Sequence, residues 1–244
     1  FTPSDDSVYE GNETAIVSID GVSGGGASES GTQSVTITIT ENESAPTVTL
    51  TVSATSIAEN AGSSLTLTAT LSGKTDSAIT VALDTSGTAT EGTDYGNLSD
   101  ITISAGATTG TVSFTPTNDS IYDATSNETA VIAIDGVSGK TGVAENSTPQ
   151  EETITITDDE SAPTVTLTSN SYTMAEDAGG YHTIRASLSG ATYEDVTVSI
   201  DGTGGTATEG TDFGTVSDIT ISAGNTLGTT TFTATDDNVY EGNE

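Results

Sequence analysis

The chain has 244 residues, with 36 Asp and Glu against three Lys and Arg, a formal charge of −33. That field repels phosphates and anionic headgroups, which argues against nucleic acid and membrane surfaces as partners, and no apolar run approaches the roughly 20 residues of a membrane span. There is no Cys, so neither disulfides nor a thiolate metal site can staple the fold, and cations from solution become the natural partner of the carboxylates.

In chain order, the first clear alternation is Ser34-Val-Thr-Ile-Thr-Ile-Thr40, with apolar residues on one face and Thr on the other. Strands at 47–52, 64–71, 79–84, 100–104, 110–115, 129–135 and 152–157 follow the same period of two. Turn signals separate them: Asn60-Ala-Gly62, Ser72-Gly73, Ala105-Gly106, Asp135-Gly136 and Ser138-Gly139. No segment has a helical period, and the alternation argues against a disordered acidic spacer. The expected fold is all-β: tandem immunoglobulin-like antiparallel β-sandwiches with about seven strands per unit.

The chain repeats itself. Glu43-Ser-Ala-Pro-Thr-Val-Thr-Leu50 recurs as Glu160 to Leu167, an offset of 117, and Glu91-Gly-Thr-Asp-Tyr95 recurs as Glu209-Gly-Thr-Asp-Phe213, an offset of 118. A third element occurs three times, as Phe1 to Tyr9, Phe114 to Tyr122 and Phe232 to Tyr240. A period of this length is a whole domain, not a solenoid turn. The phase gives the end of one repeat at 1–43, a complete repeat at 46–160 and most of a third at 163–244. Such phasing, with Phe1 opening in mid-strand, is expected of an excerpt from a longer array. Ser161-Ala162-Pro163 is a short junction, stiffened because the residue before Pro is held extended.

The carboxylates cluster at strand ends and reappear one period later. Calcium takes six to eight oxygens, which carboxylates from several loops can supply. In an up-and-down sandwich the loops holding Glu59, Asp94, Asp119 and Asp158-Asp159 would meet at one end, where their like charges repel unless a cation joins them. Acidic turn residues also form for local reasons, but recurrence at the same positions favours a shared ion.

The ordered elements Ala58-Glu-Asn-Ala-Gly62, Gly87-Thr-Ala-Thr-Glu-Gly-Thr-Asp-Tyr95, Ile101-Thr-Ile-Ser-Ala-Gly106, Asn118-Asp-Ser-Ile-Tyr-Asp123 and Ile154-Thr-Ile-Thr-Asp-Asp-Glu160 together resemble the Calx-beta family. The resemblance covers the complete repeat and both partial ones. It implies a β-sandwich that binds calcium ions (Ca2+) in loops at the end where the last strand exits. The implied ligands are Glu59, Asp94, Asn118, Asp119, Asp123, Glu128, Asp158, Asp159 and Glu160 in the complete repeat. In the third they are Glu176, Asp212, Asp236, Asp237, Glu241 and Glu244, and in the first Asp5, Asp6, Glu10, Glu13, Glu41 and Glu43. Asn118 stands where the pattern has Asp, Glu41-Asn42-Glu43 replaces the terminal acidic pair, and a two-residue insertion follows Asp123.

No nucleophile–base pair, phosphate loop or metal-hydrolase spacing occurs, and His182 is the only His, expected on a surface strand, so the chain is not expected to be an enzyme. Tyr95, Tyr122, Phe114 and Phe213 are expected to anchor core and loops. The leading expectation is a calcium-binding structural repeat of an extracellular or cell-surface filament or adhesin, with ions stiffening the junctions between neighbouring repeats and with homotypic or surface contacts along the array. The alternatives are a calcium-sensing regulatory module and an adhesin that binds a surface through Thr-rich sheet faces.

Overall fold

The structure, a computed structural model, describes residues 1–123, 127–146, 150–239 and 242. Before residue 44 the chain forms β1 (Val8–Tyr9) and a hairpin of β2 (Glu13–Ser18) and β3 (Ser34–Ile39), with Glu13 opposite Ile39. Then come β4 (Thr47–Val52), β5 (Ser56–Ala58), β6 (Leu65–Leu71), β7 (Lys74–Thr75), β8 (Ile79–Gly87), β9 (Ile101–Ile103) and β10 (Thr109–Phe114). These are followed by β11 (Ile121–Tyr122), β12 (Asn127–Ser138), β13 (Ala144–Glu145) and β14 (Glu151–Thr157). The remainder holds β15 (Val165–Ser169), a 3-10 turn at Glu176–Ala178, β16 (His182–Leu188), β17 (Ala191–Thr192), β18 (Val196–Val198), β19 (Ile219–Ile221) and β20 (Leu227–Phe232).

The fold is the expected all-β sandwich, and its pattern follows from the period of two. In β6 the residues Leu65, Leu67, Ala69 and Leu71 turn inward while Thr66, Thr68 and Thr70 face out. A four-stranded sheet in the order β10-β6-β4-β13 faces a five-stranded one in the order β5-β14-β12-β8-β9. Between them lie Val48, Leu67, Ile79, Val81, Ile101, Ile103, Ile132 and Ile154, all fully buried. Each such side chain removed from water contributes roughly 1.5–3 kcal/mol. The seven expected strands all form, with ends shifted by at most three residues. The strand order, however, corrects the up-and-down expectation. After β6 the chain leaves for the other sheet as β8 and β9 before returning as β10 beside β6. Phe1, expected in mid-strand, lies in no strand and is exposed.

Two compact units form. One comprises Phe1–Thr117 with Glu128–Ile156, the other Asn118–Asn127 with Thr157–Glu244. The second builds the sheet β15-β16-β20 and the pair β18-β19 around Ala186, Leu188, Ile219 and Ile221. In both units a glycine sits where no side chain fits. A Cβ on Gly110 would stand 2.4 Å from the Thr102 carbonyl oxygen, and one on Gly228 would stand 2.5 Å from Ile219 Cγ2.

Candidate metal centre

The acidic loops start from a local turn. Asp6 Oδ1 accepts the Val8 amide at 2.8 Å, Asp119 Oδ1 the Ile121 amide at 2.7 Å, and Asp237 Oδ1 the Val239 amide at 2.6 Å. An aspartate two residues before the amide it accepts is an Asx turn, which sets the loop without tertiary help. This bond occurs three times, once in each copy of the repeated element.

The second part of the site is the carboxylate that follows the last strand of a repeat. Glu41, after β3, takes the amides of Glu10 and Gly11 on Oε2 at 2.5 and 2.6 Å, and those of Asn42 and Glu43 on Oε1 at 2.9 Å each. Asn12 Oδ1 accepts the Glu41 amide at 2.9 Å, and Asn42 Nδ2 donates to Asp5 Oδ1 at 2.9 Å. Asp158, after β14, repeats the plan: Oδ2 accepts the Asp123 amide at 3.0 Å and Oδ1 the Glu160 amide at 3.1 Å. One oxygen of Asp119 and one of Glu160 lie within 4.8 Å of each other. The first unit therefore gathers Asp5, Asp6, Glu10, Glu41 and Glu43, and the second gathers Asp119, Asp123, Asp158 and Glu160.

These carboxylates sit in each other's fields. The backbone amide of Glu43, then its side chain, hold Glu41 at a pKa of about 2, below the ordinary 4.5. The same hydrogen bond from Glu41 pushes Glu43 up, with some burial adding to it. Glu10 is raised as well, chiefly by the charge of Glu13, then by burial and by Asp6, Asp76 and Glu41. Carboxylates held this close repel when all are ionised, and a divalent cation among them would relieve that repulsion. The donors are hard oxygens, the set that calcium or magnesium accepts and softer metals do not favour.

The other sequence-predicted residues have settings of their own. Asp94 Oδ2 accepts the Thr90 amide at 2.7 Å, and Asp212 Oδ2 accepts that of Thr208 at 2.6 Å, so each serves its own turn. That turn is pinned by Tyr95 stacked on Phe114 at 4.7 Å, or Phe213 on Phe232 at 5.0 Å. Glu59 is half-buried just after β5, and Glu128 is half-buried within β12. Asn118 Nδ2 donates to the Asp119 carbonyl, while Asp159, Glu13, Glu176 and Asp236 are exposed. Glu241 and Glu244 lie outside the described residues. His182 is half-buried in β16, with Nε2 2.8 Å from the Thr173 carbonyl oxygen.

The family model of the Calx-beta domain matches residues 41–160 and again 158–244. The chain belongs to the Calx-beta family. No curated protein sequence matches it. Among solved structures, the apo form of the Calx CBD1 domain is 20% identical and covers 46% of this chain and 98% of its own, at a TM-score of 0.38. CBD12 from CALX1.2 is 19% identical and the calcium binding domain CBD12 of CALX1.1 is 16% identical. Each of these two covers 75% of this chain and 73% of its own, at a TM-score of 0.37. Family membership rests on the family model, not on these distant likenesses.

Within this Calx-beta chain the sequence reading missed Lys140. Its ammonium donates to the Glu10 carbonyl and pairs with Asp76 at 2.8 Å, placing one of the three basic residues beside the first acidic loop. A single lysine has no period and no counterpart 117 residues away, so repetition could not reveal it. Glu91, of the repeated Glu91-Gly-Thr-Asp-Tyr95 element, accepts the Thr85 hydroxyl at 3.0 Å and the Leu98 amide at 2.6 Å, which makes it a brace of its loop.

Proposed function

We propose that this chain is a calcium-binding, non-enzymatic structural segment of an extracellular filament or adhesin, in which ions at the acidic loops stiffen the junctions between successive repeats. The observation that carries the reading is the carboxylate after the last strand, Glu41 or Asp158, which is drawn into the acidic loop of the same repeat by amides at Glu10 or Asp123. A cation bound there ties the exit of the last strand to the loop and restricts bending at the junction that follows. Glu59, Asp94, Glu128 and Asp159 are proposed as further ligands in the complete repeat, as are Glu176, Asp212, Asp236, Asp237, Glu241 and Glu244 in the third. Affinities in the millimolar range of extracellular modules suit a rod that forms where calcium is plentiful. Recurrence of the same acidic loop in successive repeats favours a structural ion over one catalytic cleft.

The test is thermal unfolding of the whole chain in excess calcium, in magnesium and in chelator. Calcium is expected to raise the melting temperature by on the order of ten degrees or more, and magnesium by much less. Equal effects of the two ions, or none, would defeat the calcium reading. A regulatory sensor would instead change its inter-repeat angle at submicromolar to micromolar calcium, which scattering during the same titration detects.

The surface-binding alternative draws on one observation. In the sheet of β4, β6 and β10, Thr51, Thr68 and Thr111 form one rank and Thr49, Thr70 and Thr109 another. In the third repeat Arg185 occupies the place of Thr68, between Thr168 and Thr229, so the rank is interrupted there. A face built for a regular surface would recur, and this one does not.

A further inference from the structure

We propose that each repeat docks its successor by a short backbone pairing: a Val/Ile-Tyr dipeptide is the inserted strand, and a two-residue strand edge organised by a buried threonine is the edge that receives it. The pairing occurs twice. Val8 and Tyr9, from the sequence before residue 44, run parallel to Lys74 and Thr75 of the complete repeat. Ile121 and Tyr122 of the complete repeat run parallel to Ala191 and Thr192 of the third. In each case one further bond extends the pair: the Asp76 amide donates to the Tyr9 carbonyl at 3.4 Å, and the Tyr193 amide to the Tyr122 carbonyl at 3.0 Å.

A parallel pair of two residues is marginal on its own, so both sides must be held in advance. The receiving edge is held by its threonine. Thr75 and Thr192 are the buried polar residues of the described chain, at 0% and 8% exposure. Each hydroxyl donates to the carbonyl two residues on, Ser77 or Glu194, at 2.8 Å, and each carbonyl accepts a glycine amide, Gly106 or Gly224, at 2.8 Å. The buried groups are thus satisfied, and the edge is fixed in the shape that receives a strand. The inserted dipeptide is held by its Asx turn. At Asp237 and Val239 the same turn forms while Val239 stays 60% exposed, so the dipeptide takes its conformation from its own aspartate rather than from a receiving edge.

The first joint carries two more fittings. The Tyr9 hydroxyl donates to the Thr141 carbonyl at 3.2 Å, and a Cβ on Gly142, whose φ is +93°, would stand 2.7 Å from that hydroxyl oxygen, so a side chain there would strain the backbone and push the tyrosine hydroxyl aside. Lys140 holds the next residue, Glu10, by its carbonyl. The partner that this surface fits is another repeat carrying the same threonine edge. The inference goes beyond the calcium reading, because the pairing bonds run from backbone to backbone and use no carboxylate oxygen.

Hydrogen exchange of the whole chain, followed by NMR at the Tyr193 and Asp76 amides with calcium and then with chelator, tests it. Both amides are expected to exchange far more slowly than exposed loop amides in either condition. Thr192→Val keeps the shape and removes the hydroxyl, and is expected to speed Tyr193 exchange roughly tenfold, the effect of about one net hydrogen bond. The core amides of Ala186 and Leu188 should not change. Thr75→Val should act in the same way on Asp76. Loop-rate exchange at Tyr193 and Asp76 in the unmodified chain overturns the docking pair and leaves the calcium reading untouched. Slow exchange in both conditions without calcium-dependent melting keeps the docking pair and sinks the calcium reading instead. Protection that survives both threonine variants overturns the role given to threonine.

Discussion

The Glu41 carboxylate receives four backbone amides and shares a hydrogen bond with Glu43, and the two side chains are driven apart in pKa as a result. Glu41 is depressed, so its contribution to stability is complete above its ordinary 4.5 and is lost as the pH falls from there through about 2. Glu43 and Glu10 are raised, so they have the opposite sign. Ionising them weighs against the fold above their shifted values, and protonation relieves that as the pH falls towards 4.5. Carboxyl-carbon NMR titration without calcium should find Glu41 ionised down to about pH 2 while Glu43 and Glu10 protonate above 4.5. Saturating calcium should pull Glu43 and Glu10 back down, since a bound cation favours the ionised carboxylates. Glu43 titrating at or below 4.5 in chelator would show that Glu41 does not raise it.

At the scale of the element, Gly110 in β10 makes a sharp prediction. A Cβ there meets the Thr102 carbonyl oxygen at 2.4 Å and Ile101 Cγ2 at 2.9 Å, and the first of these is backbone that cannot step aside. Gly110→Ala should lower stability in chemical denaturation by about 1–3 kcal/mol through this overpacking. A glycine with open space around it, such as Gly190, should tolerate the same change. The close approach was not legible in the sequence, where Gly110 reads only as the start of a strand. The alternating strands β4, β6, β10 and β14 were legible, because Thr against Leu, Ile or Val records which face is buried. Pairs as short as β7, β11 and β13 have no period to read and exist only through a distant partner. Alternation also does not say which sheet a strand joins, which is why the return of β10 to β6 contradicted the up-and-down order. The acidic site was legible in part. Repetition singled out Asp6, Asp119 and Asp237 as one structural position and Asp94 and Asp212 as another, and the structure shows an Asx turn at the first and a carboxylate-capped turn at the second. Recurrence shows that a position has a job; geometry shows what holds it.

For the whole molecule the governing quantity is the charge of −33, with Lys140 the one base paired with a carboxylate among the described residues. Self-repulsion of this size opposes a compact chain, and two kinds of cation can relieve it in different ways. Monovalent salt screens every exposed carboxylate over a Debye length of roughly 10 Å at 0.1 M, without regard to where it sits. A bound calcium ion acts only where several oxygens converge. Melting of the whole chain in chelator should therefore rise gradually with sodium chloride and show no saturation at low concentration. Added calcium should raise it steeply and then saturate, at a concentration too low to change the ionic strength. The two effects should also partly substitute for each other: in high salt the loops repel less, so the calcium increment shrinks but does not vanish, because screening cannot bridge Asp158 to its loop. If calcium and sodium curves instead superimpose when plotted against ionic strength, the acidic loops are solvated surface and the charge needs an explanation other than a bound ion.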